Sequence, residues 1–197
     1  MLDPMDVTIV AAASAYPNGT NGATFDNNAA DNFFAGAASS TSTVTWGTID
    51  QALANSTNVW ITTSDSGTQP GNITVTGAHT YNSNNHLTLL AHNNITVSGA
   101  ITNNGSGWIN LFGGWDGNFP SPGTGTVGTL TVNQPVTAAF GAVRTSSFNT
   151  ILNASLIGGN GVETGASTAG GTLTLANGIT IGNGGSNAGL FVMSADS

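Results

Sequence analysis

The sequence predicts an all-β chain wound as a parallel β-helix, a solenoid of about 22 residues per rung. Three observations predict it. The nine-residue word Asn72–Thr80 returns at Asn94–Thr102, 22 residues on, with seven of nine positions identical. A second pair, His86–Ala91 and Trp108–Gly113, keeps the same spacing. Within these words Ile73/Val75, Leu87/Leu89, Ile95/Val97 and Ile109/Leu111 alternate with Thr, Ser or Asn. Alternate residues of a strand point to opposite faces, so the aliphatic set turns inward and the polar set outward.

Taken in order, Asp6–Val10 alternates as a half-buried strand does. Residues 11–42 lose the pattern and are dense in turn formers, which predicts a surface excursion from the solenoid wall, pinned back by Phe33 and Phe34. One short helix is expected near 48–55, with Thr48 as N-cap, Gln51 completing a capping box, Asp50 in the first turn and Ile49, Ala52 and Leu53 on one face. So short a helix needs the core behind it, and shielding an open end or flank is the role it suits.

Strands are expected at 58–63, 72–77, 86–91, 94–99, 108–113, 129–133, 171–176, 179–182 and 189–193. Residues 113–128 break the period as a second excursion, after which Leu130 and Leu152 are again 22 apart and Leu173 follows 21 later. Stacked at about 4.8 Å, the rungs would place Ile73 under Ile95 and Leu87 under Ile109. Asn72 under Asn94 would form an amide ladder at a corner that tolerates left-handed backbone. Roughly six or seven rungs fit the length. The whole of 1–197 reads as a single solenoid segment. Leu190–Met193 stops mid-pattern, which suggests a piece of a longer protein or ends that join other copies.

Composition narrows the function. One Arg, no Lys and nine acidic residues give a net charge of −8, which excludes phosphate-neutralising nucleic-acid recognition and argues against anionic lipid. Neutral Thr and Asn columns avoid the repulsion that stacked like charges would bring. The chain has no Cys, hence no disulfide or thiolate metal site. It shows no run of about 18 apolar residues, so no membrane insertion is expected. Met1–Asp6 carries neither a basic n-region nor an apolar h-region, so an exported form would be mature or part of something longer.

Ordered words along about residues 2–112 resemble filamentous haemagglutinin-type exoproteins: Leu2-Asp3-Pro4 with Val7-Thr8-Ile9, the short helix Thr48–Ala54, Asn58-Val59-Trp60-Ile61-Thr62-Thr63, Gly71–Val75, and Leu87–Val97 with Ala100-Ile101. The resemblance implies a large right-handed parallel β-helix, exported through an outer-membrane two-partner transporter and acting as an adhesin or its stalk. The family's secretion domain carries an NPNG-like signature, which Tyr16-Pro17-Asn18-Gly19 only half matches; this places the chain in the shaft, downstream of that domain.

Chemistry is sparse. A β-helical lyase needs clustered acids for Ca²⁺ and a Lys or Arg base, yet Arg144 is the only such residue and no acid lies near it in sequence. A hydrolase needs two or three convergent carboxylates, and Asp50, Asp65, Asp116 and Glu163 share no rung under the 22-residue rule. His79, His86 and His92 are the nearest approach to a metal set, but no carboxylate or Cys accompanies them, and they read as solvent-facing. Gly113–Asn118 reads as a lone turn rather than a Ca²⁺ repeat. Asn18, Asn55, Asn72, Asn94, Asn104 and Asn153 head Asn-x-Ser/Thr triplets, as expected by chance in so Asn- and Thr-rich a chain. Thr-x-Thr/Ser pairs at 74/76, 96/98, 129/131 and 172/174 suggest an ice-binding array, but Thr88 facing Asn110 makes it ragged.

The expectation is therefore a structural and adhesive shaft segment, secreted or on a bacterial surface, without catalysis or cofactor. Its partners would be surface glycans or proteins, met through residues 11–42 and 113–128; no ligand-binding residue is singled out. The alternatives are a fibre subunit that self-associates through uncapped ends and a carbohydrate-active enzyme.

Overall fold

The computed structural model of the chain describes residues 6–11, 20–21, 24–26, 32–34, 42–55, 58–63, 69–116, 127–166, 170–183 and 190–194. The N-terminal part holds β1 (Val7–Val10), β2 (Thr20–Asn21), β3 (Thr24–Asp26), β4 (Asn32–Phe34), β5 (Ser42–Thr45), α1 (Trp46–Ala54) and β6 (Val59–Thr62). Five turns of three strands follow. They are β7 (Ile73–Val75), β8 (His79–Tyr81) and β9 (Leu87–Ala91); β10 (Ile95–Val97), β11 (Ile101–Asn103) and β12 (Ile109–Gly113); and β13 (Thr129–Val132), β14 (Val136–Ala138) and β15 (Val143–Ser146). The last two are β16 (Asn149–Leu152), β17 (Leu156–Gly158) and β18 (Gly161–Gly165), then β19 (Thr172–Leu175), β20 (Ile181–Gly182) and β21 (Leu190–Ser194).

Equivalent strands pair in parallel. Sheet one runs β19-β16-β13-β10-β7-β1-β5-β2, sheet two β20-β17-β14-β11-β8, and sheet three β21-β18-β15-β12-β9-β6-β4-β3. This is the parallel β-helix that the repeat predicts. It has five three-sided rungs among the described residues, rather than six or seven, because α1 takes the place of a sheet-two strand beside β8. Of the sheet-two strands, β20 falls within the expected 179–182, whereas β8, β11, β14 and β17 escape detection in the sequence. Each is two or three residues long with only one or two inward positions, too few to show an alternation.

Ile73 stacks on Ile95 and Leu87 on Ile109, as expected. The inward aliphatics of sheets one and three join those of sheet two (Ile101, Val136, Leu156) in one buried cluster. Beyond β13 the register departs from the 22-residue rule. Leu130 pairs with Thr150 and Val132 with Leu152, while Leu173 returns to Thr150 and Leu175 to Leu152. Rung spacing is 22 between Asn72 and Asn94, 20 between Asn133 and Asn153, and 23 between Asn149 and Thr172. A slip of two residues keeps the inward face and changes only the partner, so alternation alone cannot detect it. The cost falls on the core. Thr150 is fully buried and donates to the Gly165 carbonyl at 2.9 Å, and buried Thr145 donates to Thr164 at 2.7 Å.

The helix also differs from its expected bounds. It starts at Trp46, capped by Thr45, whose Oγ1 accepts the Thr48 N–H at 3.2 Å. Asp50 therefore lies past the first turn. Thr48 acts as the third helical residue rather than as the cap, its hydroxyl 3.0 Å from that of Thr45. Ile49, Ala52 and Leu53 are buried, joined by Trp46, whose indole N–H reaches the Gly77 carbonyl at 2.9 Å.

Parts of the 11–42 excursion are wall rather than loop. β2 closes sheet one antiparallel to β5, and β3 closes sheet three antiparallel to β4, which continues parallel from β6. Short antiparallel strands and a helix blunt this end against further parallel pairing. Tyr16–Gly19 and the rings of Phe33 and Phe34 lie outside the described residues, as do 117–126 of the second excursion. Where that excursion meets the wall, Gly114 and Gly128 both have positive φ (72° and 92°) and touch one another, so the chain leaves and re-enters at one point.

Candidate functional site

The polar residues at strand entrances build ladders. The N–H of Asn72 donates to Asp6 Oδ1 at 2.8 Å, that of Asn94 to Asn72 Oδ1 at 3.1 Å, and that of Thr129 to Asn94 Oδ1 at 2.8 Å. The expected amide ladder is thus a side-chain-to-backbone one, continued by an Asp, and the left-handed backbone sits at Gly71 (φ 75°) beside it. These bonds engage Asn72 and Asn94 in the wall. Among the other Asn-x-Ser/Thr positions, Asn55, Asn104 and Asn153 are exposed, and Asn18 lies outside the described residues.

Outward from sheet one, Thr43, Thr8, Thr74, Thr96 and Thr131 form one unbroken column, interrupted at Ile151 and resumed at Thr174. Thr88 and Asn110, which had seemed to break it, belong to sheet three, where Asn110 Nδ2 donates to Thr88 Oγ1 at 2.9 Å. Their separation by a corner could be read only once the three-sheet register was known.

Aromatic and charged groups collect on the outer face of sheet three. Asn58 Oδ1 accepts the His86 N–H at 2.9 Å, and His86 Nδ1 accepts the Trp108 N–H at 2.8 Å. The His86 and Trp108 rings lie 5.2 Å apart, and the Arg144 guanidinium stands 4.2 Å over the Trp108 ring. Arg144 Nε donates to Glu163 Oε2 at 3.2 Å, both side chains about half exposed. Sequence proximity had shown no acid near Arg144; the short fourth rung supplies one by pairing Arg144 with Glu163. A shallow depression of about 130 Å³ lies between Phe112, Arg144, Ser146 and Glu163. Burial, and secondarily the Arg144 charge, hold His86 below the ordinary imidazole pKa, so its Nδ1 stays an acceptor at neutral pH. Leu90 is fully buried on this same outward side, apart from the main core.

The histidines do not converge. His86 and His92 flank opposite ends of β9, and the His92 ring donates from Nδ1 to the Trp115 carbonyl at 2.9 Å. His79 points inward, in register with Ile101, rather than to solvent. Its Nε2 lies 2.9 and 3.0 Å from the two Asp50 oxygens, so a carboxylate does accompany it, brought by α1 from 29 residues away. Since a carboxylate only accepts, Nε2 carries the proton. The His79 ring stacks on Trp46 at 4.8 Å and 15° and on Tyr81 at 6.2 Å and 13°, making an aromatic plug between α1 and the end of the coil. No group of three His, Cys, Asp or Glu suited to a metal ion occurs among the described residues. Asp65 lies outside them.

Comparison with known protein families, curated proteins and solved structures gives no match to this chain.

Proposed function

We propose that the chain is a structural and adhesive shaft segment of a secreted or surface-borne bacterial β-helical exoprotein, acting by contact and without catalysis. The observation that carries this reading is the division of labour around the coil. Sheet one presents neutral Thr and Asn columns, whereas the outer face of sheet three gathers Trp108, His86, Phe112 and the Arg144–Glu163 pair on a rigid parallel wall. Half-buried aromatic and Arg side chains on a preorganised surface are what recognition surfaces favour. The words shared with filamentous haemagglutinin-type exoproteins along 2–112 support the same reading, and with it export by a two-partner outer-membrane transporter.

The test is a glycan array together with adhesion to cultured cells, using the intact chain and Trp108→Ala and Arg144→Ala variants. Binding that both variants weaken by tenfold or more supports the wall as the contact surface. Binding to neither glycans nor cells sinks the adhesive reading. A transporter gene of the two-partner type beside the parent gene would support the export route, and product release from polysaccharides would favour the enzyme instead.

End-to-end fibre formation is the second reading. In its favour, β19 and β20 carry partly exposed inward residues, with Leu175 42% exposed. Against it, the opposite end is blunted by β2, β3 and α1. Sedimentation at rising concentration separates the two readings, since a fibre subunit must grow beyond a dimer.

A further inference from the structure

We propose that the cleft between α1 and the residues following β8 binds a single pyranose unit of a glycan. The cleft encloses about 230 Å³ and is lined by Asp50, Leu53 and Ala54 from α1 and by Tyr81, Asn82 and Ser83. This is smaller than the roughly 300–1,000 Å³ of pockets for drug-sized ligands, and suits one ring rather than an extended chain.

The pointer to a ligand is the Tyr81 hydroxyl. The residue is only 7% exposed, and its Oη, itself buried, has no hydrogen-bond partner among the described residues. Its neighbours are satisfied: Trp46 Nε1 by Gly77, His79 by Asp50, and Asn85 Nδ2 by the Leu53 carbonyl at 2.8 Å. An orphaned buried hydroxyl is costly, whereas Phe would fill the same space without that cost. Burial, reinforced by the Asp50 charge, raises the Tyr81 pKa, so the group remains a donor at any ordinary pH.

The lining chemistry selects the ligand. Tyr81 donates and the Asp50 carboxylate accepts, with lone pairs to spare beyond those His79 uses. Asn82 and Ser83 can do either, and Leu53 and Ala54 supply an apolar side. A sugar hydroxyl both donates and accepts, and a pyranose ring offers an apolar C–H face. A phosphate would meet Asp50 as a like charge, and a hard cation would find a single carboxylate. The site is separate from the outer face of sheet three, so each proposal can fail alone.

The experiment is saturation-transfer NMR on the full chain with methyl glycosides of glucose, galactose and mannose and with N-acetylglucosamine. It is repeated on Tyr81→Phe and on Ala54→Trp, which places a large ring at the exposed rim. At least one glycoside should receive saturation. Tyr81→Phe should weaken its binding about tenfold, as loss of one hydrogen bond would, while melting no lower than the parent. Ala54→Trp should abolish transfer. The proposal is overturned if no glycoside binds, if binding survives Tyr81→Phe, or if Tyr81→Phe lowers the melting temperature, which would make the hydroxyl structural. Adhesion lost in Trp108→Ala but kept in Tyr81→Phe would leave the outer wall standing and the cleft refuted.

Discussion

Asn103 shows how much one side chain can hold in a solenoid corner. Fully buried on the inward side of β11, it accepts from the N–H groups of Ser83 and Gly105 and donates to the carbonyls of Ser83 and Gly107, at 2.9–3.0 Å. Asn103→Ala removes all four bonds, although the Ser83 carbonyl keeps the Gly107 N–H at 3.0 Å, and a loss of about 3 kcal/mol is expected in urea unfolding. At Asn94 the side chain only has to accept the Thr129 N–H, a role that Asp6 performs with a carboxylate two strands earlier in the ladder. Asn94→Asp should therefore be nearly neutral at pH 7, and Asn94→Ala should cost about 1 kcal/mol in the same assay. His86 gives a pH dependence. Its folded pKa is below the unfolded 6.5, so the unfolded chain binds the extra proton as pH falls. The stability His86 contributes is complete above pH 6.5 and is lost below it, through the window down to the folded pKa. His86→Asn keeps an acceptor for Trp108 and should flatten the unfolding free energy between pH 7.5 and 5; an unchanged slope would assign the titration elsewhere.

Elements hold together here by close backbone approach as much as by side chains. A Cβ at Gly107 would sit 1.9 Å from the Asn85 carbonyl oxygen, and one at Gly99 would sit 2.3 Å from the Gly77 carbonyl carbon. Both atoms are backbone and cannot step aside, so Gly99→Ala and Gly107→Ala should each cost about 3 kcal/mol or more by thermal unfolding. The helix depends on its cap in the same local way. Thr45→Ala removes the acceptor for the Thr48 N–H, for an expected loss of about 1–2 kcal/mol. Because α1 roofs His79 and Tyr81, fraying it should also expose Trp46, which a red shift in Trp fluorescence would report.

Across the whole molecule, each rung is supported by the one before and the one after, so stability should be graded along the axis. The rung of β10, β11 and β12 has neighbours on both sides and inward residues with no exposure. In β19, Leu173 is half-buried and Leu175 exposed. Hydrogen exchange read by mass spectrometry should find β10–β12 slowest and β19 and β20 fastest; uniform protection would contradict a nearest-neighbour coil.

Much of this coil was legible in the chain itself. Two 22-residue copies with inward aliphatics at alternate positions leave the backbone few solutions, since a lone rung cannot bury its apolar face and a neighbour in register can. Fold class, the inward residues of β7, β9, β10 and β12, the stacking of Ile73 on Ile95 and the existence of one buttressing helix were all determined locally, by period, alternation and capping residues; β15, β16 and β18 were not. The three-residue strands of sheet two were not legible, because at most two inward residues per strand are too few to show a period. Nor was the partner of Leu130, because a two-residue slip preserves the face.

What only the tertiary structure decided is which distant residues meet. Asp50 reaches His79, Glu163 reaches Arg144, and His86 takes its place beneath Trp108. The outer face of sheet three and the Tyr81 cleft exist only through those meetings. The physical reason is that a solenoid converts rung length into neighbourhood. Each corner that gains or loses a residue or two changes who stands above whom, and corner length is set by backbone contacts that no strand pattern records.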